Sequence, residues 1–379
     1  MMFEKPFTVA RVHLNHVVAN FKTLRGLLSA DQCVLPVIKA NAYGHGSVAV
    51  AQALAAAGVT QFFVTNVEEG VQLRQAGITA QIFVLNGILA ALAEYEQFQL
   101  VPILHHHGEL HAVRDHLVKH GRVMTGFSIG LKFDTGMSRL GFLPTDVARV
   151  FDFLQSDLQG VSVACVMSHL ARADDGPEYT QQQFSLFQSL KSVIQEKYDA
   201  ASQIKFSICN SAALLDKCSK DSDWVRPGLA LYGAYPHVRQ RSAVNLQAAL
   251  TLESRLIELK TVPAHATVGY GGTFTTQRVS QIAVLPFGYA DGYPRMLSNR
   301  AQVLVRGQRV PVVGRVSMAL TTVDVTDVPG VSVGDVVTLI GTQGEQTIRV
   351  EDVATWADTI SYEILTGLKP QLYREYVTA

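Results

Sequence analysis

The chain has 379 residues, 48% apolar and 17% charged, with 32 basic and 32 acidic side chains. That length suits one large domain or two, and the charge balance argues against a dedicated binder of nucleic acid or of an anionic membrane. No stretch is apolar for long enough to span a bilayer, and Met1-Met2-Phe3-Glu4-Lys5-Pro6 lacks the apolar core of a signal peptide. The four cysteines, Cys33, Cys165, Cys209 and Cys218, show no CxxC or metal-ligand spacing. Three of them lie in or beside apolar runs, where a thiol simply packs. The expectation is a cytoplasmic protein with reduced thiols.

In chain order, residues 7–12 read as a strand, and Leu14, Val17, Phe21, Leu24 and Leu28 keep helical spacing. Eight strand-like apolar runs follow, at 34–38, 62–65, 82–85, 100–104, 127–133, 161–167, 205–209 and 225–231. Helical stretches separate most of them. Those at 47–57 and 67–76 stop at Gly58 and Gly77, glycines placed as C-terminal caps; others fall at 108–119, 144–154, 179–198 and 211–215. An eightfold alternation of this kind predicts an α/β fold, a parallel (β/α)8 barrel of the TIM type. A doubly wound open sheet is the rival, but it normally shows fewer units over this length.

After residue 236 the texture changes. Strand-like runs at 250–259, 279–285, 301–305, 309–313, 320–325 and 336–340 succeed one another without helices, with turns at Arg306-Gly307 and Pro329-Gly330 and one helix at 350–357. The expected domains are therefore a barrel over 1–236 and a mostly β domain over 237–379, joined through 237–244. Residues 1–12 are placed as a strand packing on the second domain.

Six of the twelve histidines lie between His105 and His120. His105, His106 and His107 are consecutive, so their side chains should diverge, and a solvated face is favoured over a metal site. No metal is expected.

Barrels carry function at the C-terminal ends of their strands. Here those ends bear Lys39, Lys132 with the loop 134–141, Ser168-His169, Asn210-Ser211 and Arg226-Pro227-Gly228. A lysine at the end of a buried strand is costly unless it is neutral, paired or covalently bound; the alternative is a lysine that snorkels to the surface. Ser211 at the start of a short helix and the turn Gly228-Leu229 suit a phosphate, in a geometry that an ordinary N-cap serine shares. A lysine, a phosphate cradle and a buried arginine in one mouth suggest a phosphorylated carbonyl cofactor. Pyridoxal 5'-phosphate held as a Schiff base fits best.

The chain resembles the alanine racemases. The matching stretches are 37–46 (VIKANAYGHG), 131–141 (LKFDTGMSRLG), 169–175 (HLARADD), 210–214 (NSAAL), 226–233 (RPGLALYG), 268–274 (VGYGGTF), 286–293 (PFGYADGY), 314–318 (GRVSM) and 361–367 (SYEILTG), in the family order over nearly the whole chain. The resemblance implies a pyridoxal-phosphate enzyme built from a barrel and a β domain, which interconverts L- and D-alanine by a two-base mechanism. It implies that Lys39 binds the cofactor and serves one face of the α-carbon, while Tyr270 from the partner subunit of a homodimer serves the other. Read from the residues alone, Tyr270 is a tyrosine packed in a glycine-rich turn. Tyr43, Ser211, Gly228, Leu229 and Tyr362 are implied as phosphate contacts, with Asn210 beside them. Arg226 faces the pyridine nitrogen, with His169 holding it. Lys132 matches a position that many members carry carbamylated, oriented towards Arg139 at the cofactor phenolate and the substrate carboxylate. Asp174, Tyr289, Arg295 and Arg315 match a polar gate, and Tyr289 and Met318 (through its N–H) meet substrate from the partner.

One position departs from the family pattern: Ala319 stands where an acidic residue usually follows the methionine of GRVSM. The departure touches substrate range, so a racemase of broader range or for another small amino acid is the alternative; a non-catalytic pyridoxal-phosphate carrier is the other. The implied physiological role is supply of D-alanine for peptidoglycan, or its degradation.

Overall fold

The computed structural model describes residues 6–88, 92–120, 126–198, 202–218 and 222–378. The first five residues, which include most of the stretch read above for a signal peptide, lie outside the described residues. Six parallel strands run through one sheet in chain order: Gln61–Val64, Gln81–Val84, Leu100–Leu104, Ser128–Lys132, Ser162–Met167 and Lys205–Ser207. Two more, Cys33–Val34 and Trp224–Val225, pair parallel with each other. Single parallel bridges, Val37 to Phe63 and Asn210 to Arg226, join that pair to both edges of the six. The sheet closes on itself as an eight-stranded barrel, which leaves no free edge to cap.

These strands read as unbroken apolar runs because both faces are buried, one against the barrel interior and one against the helices. Phe62, Phe63, Phe83, Ile103 and Ile129 are fully buried, and Phe63 and Phe83 meet with ring centroids 5.1 Å apart. The eighth strand is shorter than the run 225–231 suggests. Pro227 has no N–H for a ladder, and Leu229–Tyr232 winds into a 3-10 turn. A short helix, Leu92–Gln97, lies between two barrel strands where the sequence shows no clear helical spacing.

The remainder is mostly β. A sheet runs in the order Gln308–Pro311, Gln302–Val305, Val336–Gln343, Leu250–Arg255, Val9–His13, Arg374–Val377, with Gln346–Ile348 paired to Val336–Gln343. Val9–His13 lies antiparallel to Leu250–Arg255 and parallel to Arg374–Val377, so the early strand sits beside the last one. A second sheet holds Glu258–Val262, Ser280–Leu285 and Thr321–Asp324. The apolar run 250–259 thus divides between two sheets. The break falls at Leu256, which is buried and donates its N–H to Asp335 O, while Ile257 donates to Val284 O in the other sheet.

Polar groups lock the two halves together. Buried Asn20 donates to Leu231 O (3.0 Å) and Gln247 O (2.8 Å) and accepts from Gln247 N (2.8 Å), so its amide is satisfied across the end of the barrel and the connection. Glu351 accepts from Tyr235 N at 3.0 Å. Gly233 ends the 3-10 turn at φ +77°, and a Cβ there would lie 1.9 Å from Gln247 O.

Two glycine substitutions separate conformational cost from steric cost. Gly58, at φ +92° with nothing within 4 Å of a built Cβ, loses only its freedom at positive φ, and Gly58→Ala should destabilise by about 1 kcal/mol. Gly233→Ala meets the same backbone demand and a carbonyl besides, so the loss should exceed about 2 kcal/mol. Urea unfolding midpoints of the two variants check the order; equal midpoints contradict it.

Candidate functional site

Lys39, Tyr43, Lys132, Arg139, His169, Asn210 and Ser211 line one cavity of about 360 Å³ at the C-terminal mouth of the barrel, together with Arg226, Gly228, Leu229 and Tyr362. Its apolar walls, Val37, Phe63, Leu85, Met167 and Leu140, were not singled out from the sequence. All but Leu140 are strand residues or lie next to a strand end, so the barrel register is the signal that finds them.

Lys39 lies two residues beyond the Val37 bridge that extends the first barrel strand, and the backbone after it is unusual. Ala40, Asn41, Ala42 and Tyr43 all have φ between +52° and +54°, and the first three have ψ of +46° to +51°. This is a left-handed helical turn, which costs non-glycine residues roughly 1–2 kcal/mol each and must be held by its surroundings. Glu69 holds one end, accepting from Ala40 N (2.6 Å) and Thr65 N (2.7 Å). Gly44 (φ +81°) and Gly46 (φ +99°) release the chain into the helix Ser47–Ala56. Arg374 donates its Nε–H to Gly44 O at 2.7 Å, fastening the turn to the second domain. The turn points Lys39 and Tyr43 into the same cavity. Burial lowers the Lys39 pKa, Arg139 lowers it further and Glu69 opposes them.

The phosphate cradle takes shape opposite. Ser211 Oγ accepts from Gly228 N (3.0 Å) and Ala230 N (3.3 Å). Asn210 caps the helix Ser211–Leu215 by accepting from Ala213 N. The N–H of Leu229, first in its 3-10 turn, has no partner among the described residues. A Cβ on Gly228 would lie 2.2 Å from Tyr43 Oη, so only glycine lets the tyrosine hydroxyl reach this point. Tyr43 packs against Tyr362 with centroids 6.0 Å apart. Burial, then the charge of Asp174, raises the Tyr362 pKa to about 12, leaving a neutral hydroxyl that can donate.

Arg226 is buried and held by Ser168 O (2.6 Å) and Ser207 Oγ. Burial lowers its pKa to about 10, and it stays cationic at neutral pH. No hydrogen bond joins His169 to Arg226 among the described residues; the guanidinium gives one bond from Nη1 to Ser207 Oγ and one from Nη2 to Ser168 O. Burial first, then Arg226 and Lys132, hold the His169 pKa well below its ordinary value, so the ring is neutral.

Lys132 is buried, and burial, Arg139 and Arg226 lower its pKa to about 8. Asp134, the nearest acid in sequence, spends its carboxylate on the N–H groups of Gly136 (2.8 Å), Met137 (2.7 Å) and Arg139 (3.0 Å) and so shapes the loop. Among the described residues, Lys39, Lys132, Arg139 and Arg226 form no ion pair. Their shared cavity is an excess of positive charge with room for an anion, which suits a phosphate and a carboxylate.

Tyr270, Tyr289 and Met318 do not line this cavity. They are exposed, Tyr270 at 72% and Met318 at 62%, on loops packed against each other. Tyr270 stands between Gly269 (φ +74°) and Gly271 (φ +71°), with Arg315 Nε 3.6 Å from a built Gly271 Cβ. Tyr289 N donates to Ser317 O and Ala290 N to Met318 O. Arg315 is half-buried and forms no ion pair among the described residues; Ala319, Arg295 and Asp174 are exposed. The divergence expected of the histidine run fails for two of its members. His105 Nδ1 and His106 Nε2 face the buried carboxylate of Glu109 at 3.3 and 3.9 Å, which also accepts from His105 N and Ile88 N. His105 is half-buried rather than solvated.

Comparison with known proteins agrees with this geometry. The family models for the alanine racemase N-terminal domain and C-terminal domain match residues 12–236 and 249–376. An alanine racemase of Symbiobacterium thermophilum is 41% identical, covering 97% of each chain. The crystal structure of alanine racemase from the D-cycloserine-producing Streptomyces lavendulae is similar with a TM-score of 0.91 at 32% identity, over 99% of this chain and 98% of that one. That from Bartonella henselae, with covalently bound pyridoxal phosphate, has a TM-score of 0.86 at 30% identity over 98% and 100%.

Because Arg139 is the strongest charged influence on Lys132, Arg139→Gln should raise the lysine's pKa by about one pH unit, since a like charge disfavours protonation. The pH profile of Lys132 reductive methylation, followed by mass spectrometry in bicarbonate-free buffer, should move upward. An unmoved profile contradicts the coupling.

Proposed function

The chain belongs to the alanine racemase family and is an enzyme of that kind, and on this premise we propose a two-base interconversion of L- and D-alanine with pyridoxal 5'-phosphate as cofactor. The observation that carries the proposal is the group of unpaired cations, Lys39, Lys132, Arg139 and Arg226, in one cavity beside a glycine-opened cradle. When bound, the cofactor supplies an electron sink that acidifies the α-C–H of an attached amino acid.

This chain's residues supply the rest. Tyr43, Ser211, Tyr362 and the N–H of Leu229 would hold the phosphate, with the N–H of Gly228 turning to it from Ser211 Oγ. Arg226, which can only donate, would face the pyridine nitrogen, leave it unprotonated and so limit how much charge the ring absorbs. Lys39, its pKa lowered by burial, would anchor the cofactor through its amine and then hold or move a proton on one face of the α-carbon. The other face needs a second group, and no tyrosine besides Tyr43 and Tyr362 lines the cavity among the described residues. Tyr270 of a second copy fills that role. Its exposure, with that of Tyr289, Met318 and Leu320, supports a homodimer in which each mouth is completed by its neighbour. A phenol titrates near ~10 in water; the cationic mouth would favour its ionised form.

Lys132, with a pKa of about 8, is neutral often enough to add to carbon dioxide, forming an N–C bond and releasing one proton to solvent. The resulting carbamate would turn its repulsion with Arg139 into attraction. Arg139 is then free to meet the substrate carboxylate. Ala319 in place of the usual acid would leave a neighbouring arginine unpaired or widen the pocket, which favours a broader range of small amino acids. The proposed setting is a cytoplasmic enzyme that provides D-alanine for peptidoglycan or removes it.

Two measurements test this. The purified protein should show a visible absorption band that borohydride abolishes, with the reduced cofactor mapped to Lys39 by mass spectrometry; absence of any reducible band sinks the cofactor assignment. Tyr270→Phe should slow solvent-deuterium exchange at the α-carbon of L-alanine by about 100-fold or more and that of D-alanine less. Equal losses contradict the assignment of faces.

A further inference from the structure

We propose that His45 is a positioning residue for the reaction: its Nδ1–H closes the left-handed turn at 40–43 and makes Lys39 and Tyr43 one rigid unit. His45 is fully buried. Its Nδ1 lies 3.0 Å from Ala42 O and 2.9 Å from Tyr43 O. Carbonyl oxygens only accept, so Nδ1 carries the proton and donates to both. Nε2 is buried with no hydrogen-bond partner among the described residues, so a proton there would be stranded. The ring is therefore the neutral Nδ1–H tautomer, and burial accordingly pushes its pKa down to about 4.

The two carbonyls that His45 grips belong to the positive-φ residues themselves. A right-handed turn would aim them elsewhere, so the double hydrogen bond selects the left-handed form. The other side of the clamp is Tyr232. His45 stacks on it with centroids 4.4 Å apart and planes 21° apart. Tyr232 in turn packs on Tyr43 at 5.1 Å and donates its hydroxyl to Val37 O at 3.2 Å, two residues before Lys39. The turn is thus held on its C-terminal side by His45 and on its strand side by Tyr232. Neither ring lies where a substrate reaches it: His45 does not line the mouth cavity. The inference rests on the proposed roles of Lys39 and Tyr43, but part of its test does not.

Asparagine at this position offers an N–H at the same distance from Cβ as Nδ1, whereas phenylalanine keeps a ring against Tyr232 and has no donor. Three readouts on wild type, His45→Asn and His45→Phe decide the matter. Nitrogen NMR of the wild-type ring at neutral pH should show the neutral Nδ1–H tautomer; the Nε2–H form or an imidazolium overturns the proposal. In cofactor-free protein, amide exchange over residues 42–46 should be about tenfold faster in His45→Phe, as expected for loss of a buried hydrogen bond, and close to wild type in His45→Asn. Affinity for pyridoxal 5'-phosphate and kcat should fall in the same order, with Asn rescuing both. Wild-type exchange and affinity in His45→Phe, or equal defects in Asn and Phe, overturn it. Should His45→Phe fail to fold, His45→Asn decides alone: wild-type-like protection upholds the clamp and tenfold faster exchange overturns it. A wild-type protein that binds no pyridoxal phosphate defeats the proposed function, while the tautomer and exchange still decide the role of His45.

Discussion

Four cations in one protein-lined mouth govern the rest of the site. Burial lowers the pKa values of Lys39, Lys132 and Arg226, and the charges of Arg139 and Arg226 lower those of the two lysines further. Such a cluster is tolerable only if neutral amines, backbone acceptors or bound anions offset it. The structure uses the backbone for Arg226, through Ser168 O, and lowers the pKa of both lysines. What is left is an appetite for negative charge where a nucleophilic amine stands. A phosphorylated carbonyl compound and an amino-acid carboxylate meet that appetite together.

Positioning then depends on a strained turn. A left-handed run through Ala40, Asn41, Ala42 and Tyr43 brings a lysine and a tyrosine four residues apart to the same cavity, which the preceding extended strand alone would not do. Its supports come from several places: Glu69 after the second barrel strand, Arg374 from the β domain and the rings of His45 and Tyr232. Barrel and β domain are therefore coupled at the site itself. The same β domain carries Tyr270 outward on glycine-flanked backbone, away from its own mouth. On the proposed function, one chain builds half of the acid–base machinery inside and displays the other half.

Much of this was legible in the sequence because parallel barrel strands are apolar on both faces and end abruptly in polar residues. All eight runs found a strand or a bridge in the barrel, and the polar strand ends converge as barrel geometry requires. The misses have physical causes. No propensity signals four consecutive non-glycine residues at positive φ, since the conformation is imposed by contacts up to 330 residues away in sequence. Hydropathy alone does not break the run 250–259, because the two halves alternate in the same way and only their hydrogen-bond partners differ. The histidine run misled because adjacent side chains at a strand-to-helix junction need not diverge: His105 and His106 bend back on Glu109.

The central claim is that a working site takes Lys39 from one copy and Tyr270 from another. It is tested most directly by mixing two inactive variants, Lys39→Ala and Tyr270→Ala, under conditions that exchange subunits. A mixed dimer then holds one site with both residues intact and one with neither. The account predicts recovery of racemase activity to about a quarter of wild type, since half the dimers are mixed and each regains one of two sites. Activity that stays at the level of the separate variants, despite demonstrated subunit exchange, would contradict it.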